Sequence, residues 1–126
     1  LDCNFVTAIN CMDGRVQEPV IDYLKGRCDV NNVDMITVPG PSRVLTDADF
    51  IQIAEFIRDR VAISVNIHGS HLIALIGHHD CAGNPKPRNE QFEEIIDALE
   101  LIKGWEFETE VLGLWVNSKF QVEVVV

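Results

Sequence analysis

The chain has 126 residues, 47% hydrophobic and 24% charged, with a formal net charge of −10. That length suits one domain with a real core and is short for two, so residues 1–126 are expected to form a single domain. The acidic balance and the lack of a Lys/Arg cluster exclude a generic nucleic-acid or anionic-membrane binder, and no apolar run approaches the ~18 residues of a membrane span.

In chain order, FVTAI (5–9) reads as a buried strand, followed by a turn at CMDGR (11–15) and a short helix near EPVIDYLK (18–25), where Pro19 suits a first turn. DMITV (34–38) is a second strand, stopped by PGP at 39–41. Phe50, Ile53, Ala54, Ile57 and Val61 share one helical face, and Thr46 with Asp49 three positions on predicts the cap of that helix, which ends before His68 and Gly69. HLIALI (71–76) is the third strand, and the loop GHHDCAGNPKPRNE follows it. A second amphipathic helix carries Phe92, Ile95, Ile96, Leu99 and Ile102, with Gly104 beyond its end and the acidic residues between Glu90 and Glu110 on a solvated face. EVLGLWVN (110–117) and FQVEVVV (120–126) supply one or two further strands, joined as a hairpin through Asn117 and Ser118. Apolar strands alternating with helices predict an α/β fold, a mostly parallel central sheet flanked by helices.

Cys11 falls just past the first strand, and His78 and Cys81 just past the third. In a doubly wound sheet of order 2-1-3 the ligand crevice opens between those two loops, so the three side chains are expected to converge. Zinc favours thiolate and imidazole, and a catalytic site takes three protein ligands and leaves the fourth position open. His78 is preferred to His79 because a two-residue gap to Cys81 is the usual spacing of a pair clasping one ion from a turn; His79 is the alternative. Arg15 can hold Asp13 ionised through its fork, leaving the carboxylate to accept a hydrogen bond from a zinc-bound hydroxide or, alternatively, to swing onto the metal.

The other two cysteines, Cys3 and Cys28, read as inert small hydrophobes, and with so ample a core, reduced thiols in a cytoplasmic setting are preferred to two disulfides. No secretory pattern opens the chain, and a start at Leu1 without methionine leaves room for a trimmed leader. His68 and His71 are expected to be structural or solvent-facing. Two other classes compete: a thiol nucleophile at Cys11 with Arg15 as anion binder, which leaves His78 and Cys81 unexplained, and a non-catalytic zinc module with the fourth position filled.

Cys11-Met12-Asp13-Gly14-Arg15 and His78-His79-Asp80-Cys81 together resemble the C-x-D-x-R and H-x-x-C motifs of the β-class carbonic anhydrases, and VLGLWVNSKFQVEVV resembles that family's closing strand, turn and strand. The resemblance implies reversible hydration of carbon dioxide to bicarbonate by a zinc-bound hydroxide. Cys11, His78 and Cys81 would bind Zn2+, and Asp13 and Arg15 would form a gating dyad. It also implies a homodimer or higher homo-oligomer; pairing would cover FQVEVVV, an edge-strand hazard in a monomer. Departures are TVPGPSRVL where the family has an Arg-Asn-Ala-Gly type segment, Cys81-Ala82-Gly83 in place of Cys-Gly, and too few residues before Phe5 for an N-terminal helical arm. A relative acting on carbon disulfide or carbonyl sulfide fits the same motifs.

Overall fold

The computed structural model describes residues 4–126, so Cys3 lies outside the described residues. Strands β1 (Phe5–Cys11), β2 (Asn32–Val38), β3 (Leu72–His78), β4 (Glu110–Val116) and β5 (Val122–Val124) form one sheet. Its order is β2-β1-β3-β4-β5; the first four strands run parallel and β5 is antiparallel to β4. The expected 2-1-3 arrangement is therefore present, and β1 and β3 are neighbours with Thr7 opposite Ile73 and Ile9 opposite Leu75.

Strict burial explains the parallel arrangement. All seven residues of β3 are buried, as are the last six of β1, which requires cover on both faces. Helix α1 (Gln17–Cys28) covers one face, bringing Val20 and Leu24 onto Val6, Ala8, Ala74 and Leu114. Helices α2 (Pro41–Thr46), α3 (Ile51–Asn66) and α4 (Arg88–Lys103) cover the other, where Ile57, Val61, Ile95, Leu99 and Ile102 pack on Ile9, Ile73 and Leu75.

Differences from the sequence reading are local. The short helix α2 was not anticipated; Pro41 at its first position, after Gly40 in a left-handed conformation, starts it. Thr46 consequently ends α2, its hydroxyl donating back to the Ser42 carbonyl, and Asp47 caps the short 3-10 turn Ala48–Phe50 that leads into α3, accepting from the Asp49 amide. Ile96 lies on the exposed side of α4, and β5 spans only three residues of the 120–126 segment. Asn117 does make the turn into β5, accepting the amides of Lys119 and Gln121.

A polar cluster crosses the amino-terminal half of the sheet. The Thr7 hydroxyl lies 2.6 Å from that of Ser64 and 2.7 Å from that of Ser70, and Ser64 donates to Asp34, which also meets His68 Nδ1 at 2.6 Å. His68 is thus structural, stacked on Phe5 as well. Ser64→Ala should destabilise the chain by about 1–3 kcal/mol, because it strips a partner from buried Thr7 and from Asp34. A urea midpoint equal to wild type would count against that accounting. The carboxyl ends of the strands, ~13 Å away along β1, should be unaffected.

Candidate metal centre

The crevice between the loops after β1 and β3 is built by polar residues that interrupt apolar strands. Asn10, fully buried inside β1, donates to the Val16 carbonyl and accepts the Cys11 amide, and Gln17 donates to the carbonyls of Cys11 and Asp13. Together they fold CMDGR into a tight turn that returns to the sheet edge. On the other side β3 ends at His78, and the His79 amide extends the ladder to the Val116 carbonyl.

This geometry brings Cys11, His78 and Cys81 together, all buried, with their ligand atoms within 4.8 Å of one another. The two sulfurs are 3.9 Å apart. His78 Nδ1 contacts its neighbour's carbonyl, His79 O, at 2.8 Å, which fixes the tautomer that leaves a lone pair on Nε2. His78 Nε2 is buried with no hydrogen-bond partner. An orphaned imidazole nitrogen is costly unless something fills the space before it. A borderline-soft cation suits this donor set of two thiols and one imidazole, and zinc fits it best. His79, the alternative ligand, is exposed.

The electrostatics favour metal-ready sulfur. The Cys81 thiol stabilises a Cys11 thiolate and holds its pKa well below the usual thiol value despite burial, helped by the neighbouring His78 imidazole and by the amides of Gly40 and Asp13. Cys81 is pushed up in turn by its hydrogen bond to Cys11 and by burial, against the opposing amides of Gly83 and Asn84. Burial works against a charged His78, but the Cys11 thiolate, the His79 carbonyl and Asp13 outweigh it and raise its pKa. The segment TVPGPSR, where the resemblance broke down, thus supplies an N–H donor to a sulfur through Gly40, and CAGN supplies two.

Asp13 and Arg15 meet as a fork: Arg15 Nη2 lies 2.7 Å from Asp13 Oδ2 and Nε 3.1 Å from Oδ1, which also accepts the Arg15 amide at 2.9 Å. These hydrogen bonds lower the Asp13 pKa to about 2. Arg15 also reaches across to the second loop, to the Asp80 carbonyl at 3.2 Å and its carboxylate at 3.4 Å. Asp80 is a non-glycine residue at φ 58°, which turns its carbonyl toward that contact. Their exposure, 20% for the Asp13 side chain and 49% for Arg15, leaves the pair accessible from solvent. Cys81 also lines a cleft of about 370 Å³ with His79, Asp80, Lys86, Arg88 and Trp115.

A family model described as "Putative carbonic anhydrase" matches residues 1–126. The chain belongs to that carbonic anhydrase family. Its fold is that of the β-class: it is similar to a carbonic anhydrase from Glaciozyma antarctica at 15% identity and a TM-score of 0.63, over 95% of this chain and 81% of that one. A carbonic anhydrase from Streptococcus mutans is similar at 16% identity and a TM-score of 0.64, with the same coverage. One of two tetrameric β-carbonic anhydrases from Sordaria macrospora is similar at 13% identity and a TM-score of 0.52, over 98% of this chain and 81% of that one. No curated protein matches the chain in sequence.

For this carbonic anhydrase-like enzyme, the residues that sequence reasoning passed over are Asn10, Gln17, Gly40, Gly83, Asn84, Gln91 and Glu94. Asn10 carried a signal, a lone amide inside an apolar strand next to a cysteine. Glu94 carried a misleading one: it sits in the acidic stretch expected to be solvated, yet only 11% of its side chain is exposed and it pairs with Lys86. Cys28 is half-buried, its pKa raised chiefly by that burial, in keeping with an inert thiol. Among the described residues no helix is long and apolar enough to cross a membrane.

Proposed function

We propose that the chain is a single zinc-binding domain that hydrates carbon dioxide reversibly to bicarbonate, with Cys11, His78 and Cys81 as ligands and Asp13–Arg15 as the gating dyad. The observation that carries this reading is the convergence of two thiols on an imidazole nitrogen that has no other partner. Zinc in a three-ligand site supplies a Lewis acid that brings the pKa of water to about 7.

The chain's own residues do the rest. Asp13, ionised by Arg15, accepts hydrogen bonds and cannot donate them. It therefore favours a species that has an O–H to offer, water on one side of the reaction and bicarbonate on the other. Arg15 fixes the carboxylate bidentately, and its contact with Asp80 ties the dyad to the loop that carries His78 and Cys81. Releasing Arg15 from Asp13 would free that carboxylate to turn inward and close the site, which is the gate.

Two reduced ligand thiols suit a reducing, cytoplasmic compartment. A homodimer or higher homo-oligomer is supported by the exposed apolar Val124 on β5, the strand at one edge of the sheet, which a second chain would cover. Sedimentation as a monomer at micromolar concentration would remove that part of the reading.

Asp13→Asn tests the dyad. Asparagine keeps the shape but places an N–H where an acceptor is needed, so stopped-flow hydration should fall by ~10²-fold while zinc content stays at one per chain. Full activity in this variant would sink the gating role. Zinc at one per chain with no carbon dioxide hydration in the wild type would transfer the reading to carbon disulfide or carbonyl sulfide, each assayed directly.

A further inference from the structure

Helix α4 is more than cover for the sheet. Gln91 and Glu94 lie three positions apart, hence on one face, and both reach the loop between His78 and Lys86. Gln91, buried, places Nε2 within 2.9 Å of the Lys86 carbonyl, 3.2 Å of Asn84 O and 3.3 Å of His78 O. Glu94 Oε1 accepts from Asn84 Nδ2 at 2.6 Å and faces the Ser42 hydroxyl at 3.5 Å, while Oε2 pairs with Lys86 Nζ. The backbone N–H of Asn84 in turn points at the Cys81 carbonyl, 3.3 Å away, and at the Cys81 sulfur.

We propose that Glu94, acting through Asn84, and Gln91 are positioning residues that preset the loop 78–86 in metal-binding geometry, an assignment that rests on the metal-centre reading above. A carboxylate withdrawn so far from water needs a structural return, and here each of its oxygens is bound to that loop. The Asn84 side chain has no substitute for this link, although Gln91 holds the Asn84 carbonyl separately. Asn84 is buried and its Oδ1 has no partner, so Glu94 is the side chain that holds its amide, and removing Glu94 leaves the whole amide unsatisfied. Asn84 also packs its Cβ where a side chain on Gly40 would stand, so a shift of Asn84 disturbs the donors to both sulfurs at once.

The test reads metal affinity and not turnover. Zinc affinity of the full chain is measured by competition with a chromophoric chelator, and Co2+-loaded protein is read by its absorption bands, for wild type, Cys81→Ser, Glu94→Ala, Glu94→Gln and Lys86→Ala. Glu94→Ala should weaken zinc by roughly 10–100-fold, the range of losses when an outer partner of a ligand is removed, and should alter the Co2+ spectrum. Glu94→Gln, which keeps an acceptor for Asn84 Nδ2, should restore affinity and spectrum, and Lys86→Ala should match wild type. Should Glu94→Ala fail to fold, Asn84→Ala severs the same link and should show the same loss. Wild-type affinity and spectrum in Glu94→Ala or Asn84→Ala would overturn the proposal, as would a loss in Lys86→Ala equal to that in Glu94→Ala. Undiminished zinc affinity in Cys81→Ser would instead overturn the metal centre itself.

Discussion

Cys81→Ser should lose zinc and carbon dioxide hydration together while the chain stays folded. A serine hydroxyl does not ionise near neutral pH, and at this position it would replace one of two sulfurs facing a single imidazole. One ligand's share of the ~10–16 kcal/mol of a structural zinc site is about 3–5 kcal/mol, enough to empty the site at ordinary zinc concentrations. The fold should survive because the apolar contacts of α1, α3 and α4 on the sheet do not involve the metal. The measurements are metal content, stopped-flow hydration and circular dichroism on the same preparation. One zinc per chain with wild-type turnover would remove Cys81 from the site.

The second large effect is expected at a glycine outside both motifs. Gly40 sits at φ 56°, and a Cβ there would stand 2.8 Å from the backbone of Gly83; a Cβ on Gly83 would meet Pro39 at 2.7 Å. The loops after β2 and β3 therefore touch backbone to backbone, and each supplies amides to a different sulfur. Gly40→Ala adds a left-handed penalty and a clash that neither backbone can relieve, together about 3 kcal/mol, or a fall in Tm of roughly 10 °C. Gly26→Ala is the control. It lies within α1 with nothing within 4 Å of the added carbon, so alanine should stabilise by ~0.5–1 kcal/mol. Equal melting temperatures for the two variants would refute the close-approach account, and unchanged zinc affinity in Gly40→Ala would show that the amide donors to sulfur carry little weight.

Much of the fold was legible because its determinants are local or periodic. The uninterrupted apolar runs at 5–9 and 71–76 required strands covered on both sides, and placing Cys11, His78 and Cys81 past strand ends pointed to the crevice they occupy, although Cys11 and His78 prove to be the last residues of β1 and β3. Amphipathic spacing located α3 and α4 but misjudged their margins. Thr46 and Asp47 are both capable caps, and only the short α2 decides between them. Ile96 matches the helical period as well as Ile95 does, yet the sheet reaches one and not the other.

What the sequence by itself determined was the alternation of strand and helix, the place of Cys11, His78 and Cys81 at the carboxyl ends of β1 and β3, and the chemistry those residue types admit. What the tertiary structure decided was which imidazole turns inward, that Asp80 joins the Asp13–Arg15 pair, and that Glu94 leaves a solvated stretch to hold Asn84 beneath the second loop. The physical reason is range. Hydrophobic period and strand-end position depend on residues within one or two turns, whereas a hydrogen bond from Arg15 to Asp80, or an amide of Gly40 on the sulfur of Cys11, exists only after parallel pairing has brought segments dozens of residues apart to the same edge of the sheet.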